Sequence, residues 1–152
     1  QVAHAIVARR TTQSFTNSAD LASLVSSIVP YVPGKTTGHP AKRVFQALRI
    51  EVNGELEILE QTIPAAVDVL SVGGRILVMS YHSLEDGIVK KALVAKATSS
   101  APLDMPIELP EHQPVLRMLT RGTAVASEDE KNENPRAASV RMRAAEKIRD
   151  AA

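Results

Sequence analysis

The chain has 152 residues, no cysteine, four aromatic side chains (Phe15, Tyr31, Phe45 and Tyr81) and a formal net charge of +1. This excludes a disulfide framework, a thiolate metal site, a globally polycationic nucleic-acid binder and a module that stacks bases on several aromatics. The length suits one domain or parts of two, and no apolar run reaches membrane-spanning length or forms a signal peptide.

The chain opens at Gln1, already inside a helical pattern of Val2, Ala3, Ile6 and Val7. The expectation is a C-terminal portion of a longer protein. Arg9 and Arg10 suit the C-terminal end of this first helix. Thr11 to Asn17 is polar and loop-like. Asn17 or Ser18 caps a second helix, with Asp20 in its first turn and Leu21, Leu24, Val25 and Ile28 on its apolar face. Pro30, Pro33 and Gly34 end it, and a polar loop at 35–38 follows.

Pro40 suits the first turn of a third helix. Ala41, Val44 or Phe45, Leu48 and Val52 make one face of it. Lys42, Gln46, Arg49 and Asn53 recur at the spacing of the opposite stripe. Gly54 marks a bend, after which the helix resumes through Leu56 and Leu59. Pro64 either kinks it or starts a new one over 65–70.

The stretch from Leu70 to Leu93, LSVGGRILVMSYHSLEDGIVKKAL, organises the rest. Gly73-Gly74 ends a helix, since glycine reaches the left-handed region at no steric cost. The unbroken apolar run Ile76–Met79 predicts a strand covered on both faces, as in a parallel sheet flanked by helices. Ser83 with Asp86 three positions on resembles a capping box, which predicts a helix from Leu84. Leu84, Ile88, Ala92 and Ala95 would be its apolar stripe. Ser80–Ser83 then lies at the carboxyl end of a strand, where open α/β sheets bind ligands.

Thr98 to Pro114 has no period and reads as a long surface excursion. Val115–Leu119 is a short strand, Gly122 to Asn134 a polar, acidic segment expected to be mobile, and Ser139–Ile148 a late, partly exposed strand. The two strands are expected to pair as an antiparallel edge of one sheet.

Ser80 and His82, at the strand end, are the pocket-lining candidates. A lone histidine is as often a structural hydrogen-bonder, and Glu85-Asp86 most simply serve the helix N-terminus. His39, Lys42, Arg43, Gln46 and Arg49 form a polar helix face. It is either merely solvated or able to hold phosphates and base edges, and the lack of an acidic partner on the stripe favours the second. Arg136, Arg141, Arg143, Lys147 and Arg149 make the last strand basic, as a protected solvent edge or as an RNA-facing rim. No His/Asp/Glu set has metal-ligand spacing, so no metal is assigned. Gly73-Gly74 stands in helix-to-strand order, whereas a cofactor cradle needs strand-to-helix order.

Three blocks carry a family resemblance: HPAKRVFQALRIEVNGELE, GGRILVMSYHSLEDGIVKK and NPRAASVRMRAAEKI. They resemble the C-terminal half of the MraW/RsmH family, bacterial 16S ribosomal RNA cytosine-N4 methyltransferases that use S-adenosylmethionine. SYHSLED is close to that family's S-[FY]-H-S-L-E-D. The resemblance implies an α/β chain: part of a class I (Rossmann-like) methyltransferase sheet plus part of an inserted all-helical substrate domain. Residues 1–38 would belong to the insert, and residues 39–152 to the later half of the methyltransferase domain. Ile76–Ser80 would be the fifth strand, followed by an edge with one antiparallel member.

The resemblance further implies methyl transfer to a cytidine of the decoding region by the full-length cytoplasmic protein. The 16S rRNA of the small ribosomal subunit would be its partner. The family's S-adenosylmethionine contacts lie mostly upstream of the matching blocks, so no cofactor-binding residue is assigned here and the isolated chain is expected to be inactive. It is also expected to self-associate as a homodimer or to hold an N-terminal half. The alternatives are a non-catalytic RNA-binding or assembly fragment, or another class I methyltransferase with a similar C-terminal half.

Overall fold

A computed structural model describes residues 1–30 and 38–151. The expected terminators Pro33 and Gly34, and most of the loop at 35–38, lie outside the described residues. The chain forms two compact units, Gln1–Glu55 and Leu56–Ala152.

The first unit is helical: α1 (Val2–Thr12), α2 (Ser18–Ile28) and α3 (Lys42–Asn53). Asn17 caps α2, its side-chain oxygen accepting from the Asp20 amide at 3.0 Å. Asp20 in turn accepts from the Thr16 amide and hydroxyl, and that hydroxyl bond holds its carboxyl below the ordinary value. Arg9 lies over the Phe15 ring, 5.6 Å from its centroid. Val25 is fully buried on the α2 face that the spacing predicts. In α3 the predicted face holds only at its start. Ala41 is buried, but Leu48 and Val52 are exposed. Gly54 ends α3 at φ 61°, a left-handed position that suits glycine.

The second unit takes in nearly all of α4 (Glu55–Asp68) and continues with β1 (Arg75–Ser80), α5 (Ser83–Ala97), β2 (Leu116–Met118), β3 (Ala124–Val125), α6 (Glu128–Glu133) and β4 (Arg141–Lys147). Two short 3-10 turns, Pro110–His112 and Pro135–Ser139, lie in the connections. Pro64 neither breaks α4 nor starts a new helix. The acidic segment 122–134 carries β3 and α6, the latter capped by the Ser127 hydroxyl.

β4 is the central strand, antiparallel to β1 on one side and to β2 and β3 on the other. The expected pairing of the two late strands is therefore present, and the fold class is α/β as expected. β4 is partly exposed as expected: Arg141 is exposed and Met142 and Glu146 half-buried, while Arg143, Ala144, Ala145 and Lys147 are buried. One expectation fails: β1 alternates, with Leu77 and Met79 exposed and Ile76 and Val78 packed on the core. α5 covers one sheet face, and nothing among the described residues covers the other across those two side chains.

The core joins Ile63 and Val67 of α4, Val89 and Leu93 of α5, Leu116 of β2 and Ala145 of β4. The buried stripe of α5 is therefore Asp86–Val89–Leu93, not Leu84–Ile88–Ala92–Ala95. The pattern is rotated because its first member is a carboxylate with a buried partner, described below. At the α4–β1 corner Gly73 has φ 83°. Its amide donates to the Lys147 carbonyl, and the Lys147 amide donates to the Gly74 carbonyl. A Cβ on Gly74 would lie 2.8 Å from the Ser71 carbonyl oxygen, so the turn admits no side chain there.

Candidate functional site

β1 delivers Ser80 to the carboxyl end of the strand, where the residue is 2% exposed. The chain then turns through Tyr81 and His82 into α5. The N-cap of α5 is His82, not Ser83, and the reciprocal partner is Glu85, not Asp86. His82 Nδ1 accepts from the Glu85 amide at 3.3 Å. Glu85 Oε2 accepts from the Tyr81 and His82 amides at 2.7 and 3.1 Å. Three otherwise orphaned amides are satisfied this way, and a carboxylate sits at the positive end of the helix. His82 Nε2 is shielded from solvent and makes no well-aligned hydrogen bond, although Glu85 Oε1 lies 3.3 Å away. With Nδ1 used as an acceptor, the neutral ring carries its proton on Nε2. Nδ1 is thus committed to the helix end, while Nε2 stays buried beside Glu85 without a hydrogen bond.

Asp86, expected to cap, does something else. Arg143 of β4 grips it with two bonds, Nε to Oδ1 at 2.7 Å and Nη2 to Oδ2 at 3.0 Å. Both side chains are under 10% exposed. The Arg143 bond holds the Asp86 carboxyl below its ordinary value against the opposing effect of burial, and Arg141 assists. Arg143 also donates to the Gly122 carbonyl and the Thr123 hydroxyl. The pair therefore fastens the first turn of α5 to the central strand and to the loop before β3, directly beneath Ser80–His82. Sequence reasoning missed this pair. The available signal was a basic residue alternating inward on β4, but nothing local links it to an acid 57 positions away.

Of the other basic residues on the last strand, Lys147 is buried and donates to the Asp68 and Leu70 carbonyls. Arg149 donates to Gln113 and to the Pro110 carbonyl. Arg143, Lys147 and Arg149 therefore bond to partners within the chain. Beyond β1 on the uncovered sheet face, Met79, Val140 and Met142 line an apolar cleft of about 110 Å³ with Glu130 among its walls.

In the helical unit, His39 Nδ1 accepts from the Ala41 amide at 3.1 Å, and Nε2 lies 3.4 Å from the Ser26 hydroxyl. Lys42 and Arg43 are exposed and Gln46 is half-buried. Arg49 is not free of acids: Glu55 takes its Nε and Nη2 at 2.8 and 3.0 Å. The stripe pattern missed this because the partner stands beyond the Gly54 bend. Among the described residues no cluster of His, Asp or Glu is placed to hold a metal, and no helix is long and apolar enough to cross a membrane. The glycine corner fits no cofactor either. Gly73 bonds the end of β4, and the space at Gly74 is filled by its own chain.

Comparison with known proteins covers almost the whole chain. The Ribosomal RNA small subunit methyltransferase H of Pseudarthrobacter chlorophenolicus is 58% identical over 149 residues, which are 98% of this chain and 45% of that protein. Its namesakes in Saccharopolyspora erythraea and Kocuria rhizophila are 56% and 55% identical, each over 99% of this chain and 46% of the relative. The chain thus spans a little under half the length of these relatives. The model of the MraW methylase family matches residues 1–148, and the chain belongs to that family.

Proposed function

We propose that this chain is the later portion of a methyltransferase that acts on small-subunit ribosomal RNA, with S-adenosylmethionine as methyl donor and the exocyclic N4 of a decoding-region cytidine as acceptor. The observation that carries this is the family match across residues 1–148, together with relatives named for small-subunit rRNA methylation. On this reading residues 1–38 belong to the helical insert that recognises RNA, and residues 39–152 to the methyltransferase domain. The protein acts in the cytoplasm.

The cofactor supplies an electrophilic methyl group, and on this reading most of its contacts lie upstream of these residues. What these residues contribute is the substrate side. A cytidine N4 lone pair is delocalised into the ring, so the amine must be oriented before it can react. Ser80 and His82 form a wall whose position is held by the Glu85 cap and the Asp86–Arg143 pair. His39, Lys42, Arg43, Gln46 and Arg49 hold the RNA strand.

Titration of the isolated chain with S-adenosylmethionine in a calorimeter is expected to give weak binding or none, and tight binding would place the cradle within these residues. The same chain is expected to shift a decoding-region RNA in a gel. Replacing Lys42, Arg43 and Arg49 together by alanine should then weaken binding by one order of magnitude or more, since each phosphate contact contributes steeply at low salt, with a slope of roughly −0.7 per contact on a single strand. Equal binding by the triple variant would remove that helix face from the reading.

A further inference from the structure

We propose that Arg141 is a phosphate-holding contact for the RNA strand at the Ser80–His82 site; this rests on the rRNA reading above and adds a residue to it. Three observations converge on the guanidinium. The first is position. Arg141 is the first residue of β4 and stands directly opposite Ser80 in the β1–β4 register. Opposed residues of an antiparallel pair lie about 4.5–5.5 Å apart at Cα and share a sheet face. Arg141 is therefore at the carboxyl end of β1, on the face that carries Ser80 and the start of α5.

The second observation is commitment. Arg143 already occupies both oxygens of Asp86 at 2.7 and 3.0 Å, so the carboxylate charge is matched without Arg141. Arg141 reaches Asp86 only at 3.4 Å through one nitrogen. A guanidinium has five donor hydrogens in a planar fork, and this single long bond leaves most of them unspent. No other acceptor among the described residues takes them.

The third observation is exposure. The Arg141 side chain is 48% exposed, against 7% for Arg143. Of the basic residues on the last strand, Arg143 and Lys147 are buried. Arg141 remains at the rim of the candidate site, tethered on one side and open on the other. A planar fork with free donors next to a substrate wall suits the oxygens of a phosphodiester.

The test is binding of a short single-stranded, cytidine-containing RNA by the 152-residue chain across a salt series. Arg141→Gln should lower the slope of log affinity against log salt by about 0.7, which makes binding roughly 5-fold weaker at 0.1 M salt. Arg141→Lys should retain the slope. Arg117→Gln, which alters an exposed guanidinium at the other end of the sheet that is paired with Glu146, should leave it unchanged. Thermal melting of each variant supplies the structural control. An Arg141→Gln variant that melts earlier yet keeps the wild-type slope would make Arg141 a mere second partner of Asp86 and overturn the proposal. A wild-type chain that fails to bind RNA would overturn both the proposal and the RNA-binding role assigned to this chain. Binding by wild type with an unchanged Arg141→Gln slope would overturn the proposal alone.

Discussion

Replacing Arg143 by alanine is expected to lower the unfolding free energy by about 3–5 kcal/mol, because it leaves a buried carboxylate without its partner. The substitution also strips donors from the Gly122 carbonyl and the Thr123 hydroxyl. Urea denaturation at neutral pH measures the loss; a change under 1 kcal/mol would show that Asp86 finds water or Arg141 instead. The same pair carries a pH signature. Asp86 has its folded-state carboxyl held below the ordinary value of 3.8, chiefly by the Arg143 hydrogen bond. A carboxyl depressed in the folded state contributes stability that is complete above its unfolded value and is lost as pH falls through the folded one. The acid limb of stability below about pH 4 should therefore flatten in Asp86→Asn. That variant starts less stable at neutral pH. An unchanged acid limb would assign the acid sensitivity to other carboxylates.

This pair also marks where the sequence stops being legible. Periodicity finds α2, α3, α5 and β1, and the glycine corner at 73–74 follows from backbone sterics alone. The site's place at the end of β1 is legible too, because Tyr81–Ser83 separates a strand pattern from a helix pattern. The errors share one cause. Pattern reading assigns charged residues to the surface, and here Asp86, Arg143 and Lys147 are buried with partners distant in sequence. That rotates the inferred stripe of α5 and turns the central strand β4 into an apparent edge. The cap was misassigned for a related reason. Ser83 is the stronger N-cap type, whereas the ring of His82 takes the position because Glu85 closes the box from the other side. In β1 the unbroken apolar run suggested two covered faces, and only the α5 face is covered among the described residues.

Lys147 supplies the second large expected effect. Its amide and carbonyl pair with Gly74 and Gly73, and its ammonium donates to the carbonyls of Asp68 and Leu70, with Asp150 3.1 Å away. The lysine thus satisfies carbonyls at the end of α4, where a helix leaves acceptors without intrahelical donors and favours a cation. It also ties that end to the last strand. Lys147→Ala removes a buried aliphatic stem and leaves acceptors unpaired, and should cost about 3 kcal/mol. Lys147→Met keeps most of the stem and loses only the ammonium, so its cost should be nearer 1–2 kcal/mol. The difference between the two variants in urea midpoints measures the stem; the Met variant measures the cap. A methionine variant as stable as wild type would mean that the two carbonyls are satisfied by solvent, and that Lys147 is retained at this position for packing alone.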